Sequence, residues 1–209
     1  MIIVTEITAL AHSKGKVKVC FEQAESLILY LSEVRNYGLE EQTAVSDELY
    51  ETLYHEVVGK RAVKRAMHLL EKMDRTEAQL VRKLSESGYP DELVKEAVAY
   101  VKSYHYIDDE RYARTFVRLN QERKSIGRMR MDLLARGVAE DIVARALEEE
   151  TETEPEALIQ KILEKKQFNP QTATHRETAK MYQFLLRKGF RSSEIMHLLK
   201  DMDSYGQNF

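Results

Sequence analysis

A leucine followed four residues later by a glycine occurs three times in this chain of 209 residues, as Leu84/Gly88, Leu133/Gly137 and Leu185/Gly189. The three glycines are 49 and 52 residues apart. Each is followed by an apolar residue (Tyr89, Val138, Phe190) and then by a new helical face: Val94/Ala97/Val98, Val143/Ala146/Leu147 and Ile195/Leu198/Leu199. A glycine that ends a helix adopts the left-handed conformation without steric cost. Repetition at this period predicts stacked helical units, each burying its apolar face partly against its neighbours.

The stretch Tyr106–Val138 is the central unit. Asp108 is expected to cap a helix, with Ile107 stapled onto Tyr112. Tyr112, Ala113, Phe116 and Leu119 then define one apolar face. After a polar break at Lys124-Ser125, a short helix carries Leu133 and Leu134 and closes at Gly137. Thr76-Glu77-Ala78-Gln79 has the form of a capping box before Leu80 and Leu84. Ser125 precedes Leu133 by the same eight residues that separate Thr76 from Leu84. In the third unit Pro155 suits a first helical turn, ahead of Leu158, Ile159, Ile162 and Leu163. Asn169-Pro170 is expected to open the next helix, and Ser192 or Ser193 to cap the last, which frays after Met202. The acidic run Glu148–Glu154 reads as a hinge between units.

Upstream the period changes. Residues 1–8 and 16–21 alternate and are β-rich, residues 27–31 can add a third strand, and strands are expected only in the first 31 residues. So few strands need a helix to pack on. Ser46 is placed to cap a helix running from Asp47 to Lys72, in which Gly59 argues against an unbroken rod. The reading is mainly α, with a β-rich element at 1–45 and three-helix units at 46–107, 108–150 and 151–209.

Several function classes are disfavoured. No run reaches transmembrane length and no secretory apolar segment is seen, which favours the cytoplasm. The single Cys20 lies in a predicted strand and reads as a small buried apolar residue. The six histidines form no i, i+4 pair and no zinc spacing with Cys20. Asp108, Asp109 and Glu110 are adjacent on a helix and point about 100° apart, so they suit a helix N-terminus better than a metal cage. No phosphate loop or nucleophile elbow is present, so neither enzyme chemistry nor a cofactor is expected. The formal net charge is −3, which does not mark the whole chain as a nucleic-acid binder. Charge is zoned, however: residues 1–55 hold 4 basic and 9 acidic side chains, residues 155–209 hold 9 and 6.

YIDDERYAR at 106–114, followed by the Gly127–Val138 segment, resembles the RecX family of regulators of the bacterial recombinase RecA. RTEAQL at 75–80, KLSESG at 83–88 and LLRKGF at 185–190 support the resemblance, which spans essentially the whole chain. It implies three tandem three-helix units in an elongated curved body. It also implies a non-enzymatic protein that binds RecA filaments on single-stranded DNA and limits their assembly and activities. Met73 and Thr76 depart from the family's usual first-unit pattern, where a basic residue and a serine are expected. Together with the acidic balance, these departures argue against strong autonomous DNA binding.

Basic residues are the functional lead. Arg111, Arg114 and Arg118 share one face of the central helix, and Arg123, Lys124, Arg128 and Arg130 surround the junction that follows. Lys161, Lys165, Lys166, Lys180, Arg187, Lys188 and Arg191 charge the third unit. Rows of such groups hold phosphates or partner carboxylates. The expected partner is the RecA filament, met by a monomer without a membrane, with direct contact to single- or double-stranded DNA as an open addition. An autonomous nucleic-acid-binding module and a generic helical scaffold are the alternatives.

Overall fold

The computed structural model describes residues 1–11 and 13–199; the expected fraying after Met202 lies outside them. The chain divides into two compact units, Met1–Asp108 and Asp109–Phe209.

In the first unit, β1 (Ile2–Ala9), β2 (Lys16–Phe21) and β3 (Ala24–Tyr30) form an antiparallel meander. A fourth strand, β4 (Ala44–Val45), extends the sheet to the order β3-β2-β1-β4. Strands are therefore not confined to the first 31 residues: Ala44 and Val45 pair with Ile3 and Ile2. Two residues are too short to show alternation, and the six-residue helix α1 (Leu31–Asn36) is too short to show a helical period. Val4, Val19, Leu27 and Leu29 fill the covered face of the sheet, whereas Cys20 is only half-buried.

Ser46 caps the following helix by accepting the Leu49 N–H at 3.1 Å. That helix runs unbroken through α2 (Asp47–Glu51), a π-helical stretch (Thr52–Gly59) and α3 (Lys60–Lys72). Gly59 does not interrupt it, since its backbone is helical at φ −61° and ψ −50°. The helix serves two cores. Leu53, Tyr54 and Val58 pack under the sheet; Ala62, Ala66 and Leu69 pack against α4 (Glu77–Ser85) and α5 (Asp91–Ser103). The wider turns of the π stretch lie where the buried stripe passes from one core to the other.

The second unit holds α6 (Asp109–Asn120), α7 (Ile126–Leu134), α8 (Glu140–Glu150), α9 (Pro155–Lys165), α10 (His175–Arg187) and α11 (Ser192–Leu198). The two units thus contain tandem three-helix repeats behind an N-terminal sheet. The repeat glycines have φ of 80°, 82° and 85° at Gly88, Gly137 and Gly189. At each, the N–H of the following residue returns to the leucine carbonyl: Tyr89 to Leu84, Val138 to Leu133 and Phe190 to Leu185, at 3.5, 3.2 and 3.3 Å. This is the Schellman closure. Leu84, Leu133 and Leu185 are all fully buried.

The middle helix of each repeat is capped by Thr76, Ser125 or Thr174. These caps are evenly spaced along the chain, so the longer third period comes from a longer helix: α10 has 13 residues, α4 and α7 have 9. Asn169-Pro170 is accordingly not a helix start. The Asn169 side chain instead accepts the Gln171 N–H at 2.9 Å in a local turn.

Three smaller expectations also change. Ile107 is buried in the first repeat's core rather than serving Tyr112. Leu119 is 73% exposed, because Ala113, Phe116 and Val117 form the buried stripe of α6. The last helix has Arg191 at its N-cap, with Ser192 already helical.

Candidate partner-binding cleft

Within the second unit, the junction between α6 and α7 faces the third repeat across a groove of about 920 Å³. Arg123, Lys124 and Arg128 line one side; Lys165 and Lys166 at the end of α9 and Arg187 and Lys188 at the end of α10 line the other. Asn120, Ser125, Ile162, Phe184 and Phe190 complete the walls. All seven ionisable groups in the lining are cations.

Local chain chemistry builds this concentration. Ser125 is nearly buried and has two roles: its oxygen accepts the Arg128 N–H at 3.1 Å and its hydroxyl donates to the Lys188 carbonyl at 2.6 Å. Gly189, in its left-handed conformation, lays its carbonyl against Gly127, where a Cβ would approach that oxygen to 2.5 Å. Two helix ends are thereby locked together. Basic side chains favoured at helix C-termini by the dipole project from α9 and α10 beside the start of α7.

One carboxylate stands behind the groove. Asp132 meets Lys124 Nζ at 2.9 Å and Arg128 Nε at 3.1 Å, with only 16% of its side chain exposed. It offsets one charge of that pair. Lys166 and Lys188 lie over the Phe184 ring, 4.5 and 5.6 Å from its centre, and Lys124 lies 4.9 Å from the centre of Phe116. Aromatic faces stabilise ammonium groups without neutralising them. Among the described residues, Arg123, Lys165, Lys166, Arg187 and Lys188 have no carboxylate in salt-bridge range.

The groove unites five of the eleven candidate residues: Arg123, Lys124, Arg128, Arg187 and Lys188. The other six fall elsewhere. Arg114 and Arg118 pair with Glu149 and Glu150 at the end of α8, each at 2.9 Å. Arg111 lies exposed on the same helix. Arg130 pairs with Glu140, Lys180 is exposed partway along α10, and Arg191 caps α11. The acidic run is therefore not a free hinge. Its first three residues complete α8, and the Gln121 side-chain oxygen accepts the N–H groups of Glu152 and Thr153 at 2.7 and 3.2 Å. Of the five uncharged lining residues, Phe184 and Asn120 are the two that neither the repeat pattern nor the charge pattern singles out. Among the described residues there is no cluster suited to a metal ion, and no helix is long and apolar enough to cross a membrane.

Models of the first, second and third three-helix domains of RecX match residues 62–100, 108–147 and 152–199, which is more than half of the chain. The chain belongs to the RecX family. The regulatory protein RecX of Caldanaerobacter subterraneus subsp. tengcongensis is 35% identical over 160 residues, covering 76% of this chain and 79% of the relative. The regulatory protein RecX of Clostridium botulinum (strain Eklund 17B / Type B) is 25% identical over 203 residues, covering 95% of each chain. Among solved structures, a crystal structure of regulatory protein RecX aligns with a TM-score of 0.62 at 24% identity, over 96% of this chain and 100% of the other. A second, RecX from Lactobacillus salivarius, gives 0.56 at 20% identity, over 70% and 97%. The fold is shared, and RecX membership makes the chain a non-enzymatic regulator of RecA.

Proposed function

We propose that this chain, a cytoplasmic monomer, docks on RecA filaments formed on single-stranded DNA and limits their activity, and that the cleft between its second and third repeats is the docking surface. The observation that carries this reading is the lining: seven cations and no carboxylate in a groove held open by the Ser125–Lys188 lock. Such a concentration in a chain of net charge −3 is a local field, strong at close range and weak at a distance. It suits a partner that presents carboxylates or phosphates at fixed positions, as a filament does.

The test replaces Lys165, Lys166 and Arg187 by Ala and follows RecA ATP turnover on single-stranded DNA as regulator is added. Inhibition should need at least about tenfold more of the variant, which corresponds to about 1.4 kcal/mol of binding free energy. Inhibition at the wild-type concentration would exclude the cleft.

Direct binding of a DNA strand is a second reading, favoured by a lining that holds cations and no carboxylate. It is separated by titrating the chain with an oligonucleotide alone, where binding through phosphates falls steeply as salt rises.

A further inference from the structure

The first unit has a groove of its own, of about 970 Å³, bounded by the β1–β2 hairpin, the end of β3, one face of α3 and the α4–α5 turn. Its apolar strip includes Ile28, Met67 and Tyr30; Met67 and Tyr30 are 36% and 39% exposed. Its cations are Lys16, Arg61, Lys64 and Arg65.

The charges along α3 work against the helix. Lys64 stands four residues after Lys60, and Arg65 stands four after Arg61. Like charges at this spacing destabilise a helix. Lys60 is itself paired with Glu56, and elsewhere in this unit spacings of three or four residues likewise join opposite charges, as in Lys83–Glu86 and Lys95–Glu92. Arg61 is satisfied, donating to Glu33 at 2.5 and 2.6 Å and to the Ile28 carbonyl at 2.9 Å. Lys64 and Arg65 are exposed and have no carboxylate partner among the described residues. A ligand with negative groups would pair the two groove cations that the fold leaves without a carboxylate, Lys64 and Arg65.

We propose that this groove docks an acidic peptide segment of a partner protein, with carboxylates on Lys64 and Arg65 and an aliphatic side chain on Ile28 and Met67. A nucleic-acid strand fits less well, for two reasons. Base stacking would need an open aromatic face, but Tyr89 is half-buried, and Arg61 and Lys16 already lie 4.8 and 5.3 Å from the centre of the Tyr30 ring. A continuous run of phosphates would also meet Glu71 and Glu86, which line the same groove. A peptide can place isolated carboxylates and leave those positions neutral. The groove lies in a different unit from the cleft above, and the proposal does not depend on that cleft's role.

The experiment titrates the full chain into a fluorescein-labelled peptide of glutamate, aspartate and leucine, read by anisotropy. Parallel titrations use the same peptide with glycine for leucine and an oligothymidylate. The expected result is saturable binding of the first peptide and at least about tenfold weaker binding without leucine. The Lys64→Glu/Arg65→Glu variant should lose the peptide, whereas Lys95→Glu, exposed in the same unit but outside the groove, should retain it. The first variant should melt no lower than wild type, because it replaces like-charge neighbours by opposite ones. Equal peptide binding by wild type and Lys64→Glu/Arg65→Glu would overturn the proposal, as would no binding at all. Loss of oligothymidylate binding in that variant, with no response to the peptide, would reassign the groove to nucleic acid.

Discussion

The hydroxyl of Ser125 donates to the carbonyl oxygen of Lys188 at 2.6 Å while its oxygen caps α7 through the Arg128 N–H. One side chain thus ends the polar break in the second repeat and fixes the third repeat against it. The equivalent residue of the third repeat, Thr174, caps α10 through the Glu177 N–H at 3.4 Å and is exposed.

Ser125→Ala is therefore expected to cost more than Thr174→Ala. Loss of a cap costs about 1 kcal/mol, and the unpartnered Lys188 carbonyl adds roughly 1–3 kcal/mol where water cannot reach it. Urea unfolding of both variants checks this. Equal losses would mean that the bond to Lys188 contributes nothing.

Glycine substitutions should separate two kinds of close approach. At Gly127, an added Cβ lies 2.5 Å from the Gly189 carbonyl oxygen, a backbone atom that cannot turn aside. Gly127→Ala should destabilise by more than about 2 kcal/mol, in the range of overpacked cores, and should widen the cleft. At Gly59 the nearest atom is Leu93 Cδ2 at 3.3 Å, the end of a flexible side chain. The helical gain of about 0.5–1 kcal/mol from alanine there should offset the crowding. Thermal unfolding of Gly59→Ala is expected to fall within a few degrees of wild type.

Two leucines test the packing of the central repeat. Leu133 is fully buried, so Leu133→Ala should cost roughly 2–5 kcal/mol. Leu119 is largely exposed, so Leu119→Ala should change stability by less than about 0.5 kcal/mol. Chemical denaturation gives both values, and a large loss at Leu119 would mean that α6 buries a second face.

The contrast between those leucines shows what a sequence carries. Leu133 is legible because it recurs at fixed offset from a glycine whose backbone needs φ near 82°. Leu119 belongs to a face drawn from Tyr112, and seven residues of an α-helix also return close to that face from a wrong starting point. The true stripe starts at Ala113, whose small side chain carries a weak hydrophobic signal although it is fully buried. Thr174 does not stand at the offset from its glycine that Thr76 and Ser125 share, because the extra residues of the third period sit inside α10. Charge is legible by residue but not by partner. Nothing local in the sequence pairs Arg114 with Glu149 across 35 positions, or brings Lys165 of α9 to the same groove as Arg123.

That pairing decides how the arginine face of α6 should behave against the cleft. Arg114 and Arg118 hold the last turn of α8 through Glu149 and Glu150, so their charge is already engaged inside the unit. Both pairs reach solvent, and each contributes at most about 1 kcal/mol. Replacing Arg114 and Arg118 by Ala should lower stability slightly and loosen the end of α8. It should move the concentration needed to inhibit RecA much less than replacing Lys165, Lys166 and Arg187. The two multiple variants are compared in one ATP-turnover titration on single-stranded DNA, repeated at rising salt. The cleft variant should also show the shallower salt dependence, since the charges removed are the ones that would meet the partner. If the Arg114/Arg118 variant loses inhibition as fully as the cleft variant, the α6 face itself touches the filament. Glu149 and Glu150 would then be displaced on binding.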